Sequence, residues 1–86
     1  MMTTWRSQLE LAMKEYGDPG PVVAYAPDEP TFDVEFDDRF GLSEGPPVLA
    51  WTGENVYFPV VYDGAEWLDA APRNPRAKGQ DHVGGQ

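Results

Sequence analysis

The sequence predicts an α+β fold, with one N-terminal helix packed on a small antiparallel sheet of four or five strands. Three observations carry this reading. Trp5, Leu9, Ala12, Met13 and Tyr16 recur at the spacing that gathers side chains on one helical face. From Val48 onward, short runs rich in β-branched and aromatic residues alternate with turn residues, and Asp63-Gly64 is a strong two-residue hairpin signal. Eighty-six residues make one small domain, and its eleven aromatics, each able to bury roughly 150–250 Å², offset the small size. The expected division is a single α+β domain over residues 1–71 and a basic, Pro/Gly-containing tail over 72–86.

The helix is expected over residues 4–16, capped by Thr3 or Thr4, supported by the Glu10/Lys14 pair and ended by Gly17. Asp18-Pro19-Gly20-Pro21 forbids its continuation. Residues 22–26 read as a short strand, and Pro27-Asp28-Glu29-Pro30 as a turn into a second strand over 31–37. In that second strand Phe32, Val34 and Phe36 alternate with Asp33, Glu35 and Asp37, the period-two pattern of a sheet wet on one side. Residues 38–47 read as a loop. Strands are expected at 48–52, 56–62 and 65–70. Pro59 lacks the N–H that a middle strand needs, so a bulge or an edge position is expected there. Trp67, directly after the hairpin turn, is expected in the core.

Charge is the most uneven feature of the chain. Residues 1–71 hold fourteen acids and three bases, whereas 72–86 hold Arg73, Arg76 and Lys78 against Asp81, and the net charge is -9. Free nucleic acid and anionic membrane are repelled by such a body, and a basic protein surface is attracted. Six of the acids (Asp28, Glu29, Asp33, Glu35, Asp37 and Asp38) fall within eleven residues. On a strand, carboxylates at i and i+2 project about 6.6–6.8 Å apart, comparable to successive phosphates, so this row is the first candidate partner-binding surface. The second is aromatic. The strands at 48–52 and 56–62 are apolar on both faces, one helix covers one face only, and Trp51 and Tyr57 are the residues expected to meet a partner or a second copy of the chain.

Catalysis finds little support. His82 is the only histidine and lies in the tail, Ser7 and Ser43 belong to no nucleophile motif, and no enzyme is expected. Asp33, Glu35, Asp37 and Glu44 match an EF-hand register at positions 1, 3, 5 and 12, but Asp38 stands where the loop needs glycine and no flanking helices are expected. No metal or cofactor is expected. With no cysteine, no long apolar leader and no apolar run of membrane-spanning length, the expectation is a soluble cytoplasmic protein.

The run Val56-Tyr57-Phe58-Pro59-Val60-Val61-Tyr62-Asp63-Gly64-Ala65-Glu66-Trp67, with Arg73-Asn74-Pro75 and His82-Val83-Gly84-Gly85 after it, resembles short uncharacterised proteins encoded by bacteriophages and prophages. The opening helix, with Trp5 and Ala12-Met13-Lys14-Glu15, is similar too. The resemblance brings no catalytic or binding residue with it. It implies a phage-type binding protein, of which inhibitors of host defence such as anti-CRISPR proteins are the best-known kind. The expected function is therefore inhibition of a basic, nucleic-acid-binding host protein through the carboxylate row. The alternative is a structural, assembly or homodimeric protein that works through its uncovered aromatic sheet face.

Overall fold

The computed structural model describes residues 2–38 and 44–73. Helix α1 spans Trp5–Tyr16. Thr4 caps it by accepting the Ser7 N–H at 3.1 Å, and Gly17 ends it with φ 66°, a left-handed conformation that costs glycine nothing. Six strands follow the chain: β1 Met2–Thr3, β2 Ala24–Ala26, β3 Phe36–Asp37, β4 Leu49–Trp51, β5 Asn55–Tyr62 and β6 Ala65–Pro72. Strands β1 and β3 pair as a two-stranded ribbon, and the other four form an antiparallel sheet in the order β2-β4-β5-β6. The helix packs chiefly against β6, so the chain is the small α+β fold that its periodicities imply.

The acidic strand does not form. Residues Pro30–Asp33 make a 3-10 turn instead, and only Phe36 and Asp37 of the expected strand are extended and paired, with β1. The local chemistry explains this. The Asp28 carboxylate accepts both the Thr31 N–H (3.0 Å) and the Thr31 hydroxyl (2.6 Å), and Pro30 supplies a helical φ at the turn's first position. Phe32 is then driven fully inside while Val34 is 51% exposed, so the apolar alternation of Phe32, Val34 and Phe36 is not one face of anything.

Other differences are smaller. Strand β6 runs past residue 70 to Pro72, and the Arg73 N–H donates to the Glu54 carbonyl at 2.9 Å. Strand β6 and this bond thus take in the first two residues assigned to the tail; the remaining tail residues lie outside the described residues. The hairpin at Asp63-Gly64 forms as expected, both residues taking positive φ (52° and 82°). Pro59 sits in β5 without a bulge and in an inner rather than an edge strand, because its pairing with Leu68 keeps register while β4 pairs only with Val56 and Tyr57.

The core lies between α1 and one sheet face. The row Tyr25, Ala50, Tyr57, Ala70 crosses all four strands, and with Leu68 it meets Trp5, Leu9, Ala12, Phe32 and Phe36. Trp5 anchors this packing: its ring tilts on Phe36 at 4.5 Å and its indole N–H donates to the Pro46 carbonyl at 2.7 Å. Among the described residues no helix is long and apolar enough to cross a membrane.

Candidate functional site

Three constellations carry polar or exposed chemistry. The first is a buried polar knot. Asp18, just beyond the helix, is 8% exposed. Its Oδ2 accepts the Thr52 hydroxyl (2.6 Å), the Tyr57 hydroxyl (2.7 Å) and the Asn55 side-chain amide (3.0 Å), while Oδ1 accepts the Gly20 N–H (2.9 Å). Burial pushes this carboxyl up, but the hydrogen bonds from Thr52, Gly20, Tyr57 and Asn55 together hold it below the usual carboxylate value. Tyr57 moves the opposite way: burial and the Asp18 carboxylate raise its phenol well above the ordinary value. Beside it, Tyr16 donates to Asp69, and burial together with that bond raises its phenol to about 12. Asp18, Thr52 and Tyr57 are buried and hydrogen-bonded to one another, while Tyr16 remains 39% exposed, so the knot ties helix end to sheet.

The second constellation holds the acids of the expected row. Asp28 is exposed and accepts the Thr31 N–H and hydroxyl. Asp33 takes the Arg6 guanidinium on both oxygens (2.6 and 3.1 Å), and Glu29 takes the same guanidinium at 3.3 Å. The hydrogen bond from Arg6 is the main reason that Asp33 stays below the ordinary carboxylate value, and Asp33 in turn raises Arg6. Glu35 is exposed, and Asp37 and Asp38 are half-buried. The six acids are therefore not one ribbon on a rigid strand: three are engaged by Thr31 and Arg6, and the strand that would align them is absent. Among the described residues no group of acids and histidines has the arrangement of a metal site.

The third constellation is apolar. Cross-strand partners share a sheet face, and the row Ala24, Trp51, Val56, Ala71 lies opposite the core row. Leu49 with Ala26, Val60 with Trp67, Tyr62 with Ala65, and Phe58 beside Asp69 extend the same outer face. Its one carboxylate, Asp69, is held at the sheet edge, where Oδ1 accepts the Ala70 N–H (3.0 Å) and the Tyr16 hydroxyl. Tyr62 is 50% and Leu49 38% exposed, while Trp51, Val56, Phe58, Val60 and Trp67 are half-buried.

Of the two aromatic residues singled out from sequence, Trp51 stands on this outer face, half-buried. Tyr57 does not. It is 0% exposed on the core side, because its hydroxyl finds Asp18 and so the whole ring can be buried. Trp67, expected in the core, is half-buried on the outer face. Phe58, Val60 and Tyr62 were readable as contact residues from the alternation of β5 once its inward residue was known. In comparisons with known proteins no family model, no curated protein and no solved structure matches this chain.

Proposed function

We propose that this chain is a protein-interaction module that works as a homodimer through the outer face of its four-stranded sheet. The observation that carries the reading is the apolar paving from Leu49 and Trp51 across Val56, Phe58 and Val60 to Trp67, half-buried for the most part and exposed at Leu49 and Tyr62. A second copy is the fitting occupant. The face has no free charge while the chain bears -9, so a basic partner is drawn to the acidic flanks and a like apolar sheet to this face. A two-fold arrangement lets the same residues serve both sides, and aligned sheets pack about 10 Å apart with their inner side chains interlocked.

Sedimentation equilibrium tests this directly. Mass should rise from one chain to two with protein concentration. Association should strengthen with added salt, because repulsion between two acidic chains is screened while apolar contact is not weakened. Trp51→Glu and Phe58→Glu should give monomers with an unchanged circular dichroism spectrum. A native chain that stays monomeric at every concentration and salt level refutes the dimer.

The second reading, a charge-based inhibitor of a basic nucleic-acid-binding host protein, draws on the net charge and on exposed Glu29, Asp33 and Glu35. Its salt dependence has the opposite sign, since exposed ion pairs weaken as salt rises. Reversing the charge of Asp33, Glu35 and Asp37 would abolish it and leave the dimer intact.

A further inference from the structure

A second surface opens where β4 and β5 part. The Thr52 N–H donates to the Asn55 carbonyl at 3.0 Å and the Arg73 N–H to the Glu54 carbonyl at 2.9 Å. Within β5, therefore, Tyr57, Pro59 and Val61 direct their backbone groups to the β4 side, and Phe58, Val60 and Tyr62 direct theirs to β6. Two steps beyond the Ala50 and Tyr57 pair, the same register puts Pro59 opposite Val48, and Pro59 has no N–H to give. The β4 ladder stops there. The β6 ladder, which asks nothing of the Pro59 nitrogen, continues through Tyr62. The strands diverge into a cleft of about 440 Å³, walled by residues 45–48 on one side and by residues 59–61 with Glu66 on the other. The Pro59 carbonyl and the Val61 N–H and carbonyl face it, and among the described residues no backbone group pairs with them.

We propose that this cleft accepts an extended segment of a basic partner protein, which adds as a strand to the free edge of β5. The geometry supplies the two things such recognition needs, backbone groups at strand spacing and apolar walls for alternate side chains, here Pro47, Val48 and Val61. Charge selects the partner. Glu44, next to the cleft wall, and Asp63, two residues beyond Val61, are both exposed, and the chain as a whole carries -9. A segment alternating apolar residues with lysine or arginine puts its apolar side chains on the walls and its cations near those carboxylates; an acidic segment is repelled. Glu66 shapes the wall and does not serve as a counter-charge, because its two oxygens accept the Glu44 N–H (2.7 Å) and the Gly45 N–H (3.0 Å).

The test is an NMR titration of the full ¹⁵N-labelled chain with a synthetic peptide of alternating valine and lysine, roughly six residues long, the length of an ordinary strand. Amide shifts should concentrate at Val48, Val61 and Tyr62. The same peptide with N-methylated backbone, and its glutamate-for-lysine counterpart, should not bind. Val61→Pro removes an edge donor without touching the β6 ladder and should weaken binding by about tenfold, the worth of one hydrogen bond; if that variant unfolds, the N-methylated peptide on the native chain decides the matter. Equal binding of the N-methylated peptide, shifts scattered over the surface, or no binding overturns the proposal. So do shifts at the cleft on concentrating the protein alone, which would assign it to a second copy. Trp51→Glu, which disrupts only the sheet face, should leave peptide binding unchanged.

Discussion

Asp18 is the residue on which most of the tertiary structure converges, and it does so because a carboxylate is the one side chain that can accept from four donors arriving on different segments. Replacing it with alanine strands the buried Thr52 and Tyr57 hydroxyls, each a loss of about 1–3 kcal/mol in buried surroundings. Chemical denaturation of Asp18→Ala should therefore show a loss of about 2–4 kcal/mol. The pH dependence follows from the signs. Asp18 is held below its unfolded value, so its contribution is present above about pH 4 and is lost as pH falls through the native value. Tyr16 and Tyr57 are raised, so their contribution is complete below about pH 10 and is lost as pH rises through the native values, with Tyr16 ionising near 12. Alkaline titration followed by tyrosinate absorbance should show those two phenols ionising late, and Tyr16→Phe should remove the component near 12.

At the scale of elements, α1 was legible in its extent and ends: one of the two candidate capping threonines, the Trp5, Leu9 and Ala12 stripe and the terminal glycine stand where the sequence puts them, while Tyr16 of the expected stripe is 39% exposed. The β5–β6 hairpin was legible for the same reason, since Asp63-Gly64 meets a local demand for positive φ that few other pairs can meet. The acidic segment was not legible, because an alternating pattern competes there with an Asp28 cap that acts over only three residues, and the cap prevailed. The seating of α1 against the segment before β4 rests on Gly45. A Cβ built there stands 2.5 Å from Trp5 Cζ2 and 3.0 Å from Phe36 Cε2, both core rings with no room to retreat. Gly45→Ala should thus lower the thermal midpoint and cost about 1–3 kcal/mol, as overpacked cores do, although alanine changes no hydrogen bond. Nothing in the local sequence around Gly45 announces that constraint, because the atoms that impose it come from Trp5 and Phe36.

For the molecule as a whole, the opposition between its two surfaces matters most. The body is strongly acidic, yet the outer sheet face from Trp51 to Trp67 is nearly uncharged. Salt therefore discriminates between modes of action: it should promote pairing through the sheet face and weaken any contact made by Glu29, Asp33 and Glu35. A measurement of association against ionic strength reads the sign in one experiment. Small domains with a single helix cannot cover two faces of a sheet, and here the helix is committed to the side holding Tyr57, Ala70 and Leu68.

The amino-acid sequence alone determined the helix, the hairpin, the excess of acid and the existence of a sheet apolar on both faces, since each follows from spacing or composition within a few residues. Only the tertiary structure decided which face is buried, because that choice belongs to Asp18 and Trp5, which reach partners 34–41 residues away from themselves in Pro46, Thr52, Asn55 and Tyr57. It also decided that the carboxylates do not line up. Their alignment required a strand, and an aspartate cap together with one arginine, placed by the helix, stabilised a turn instead.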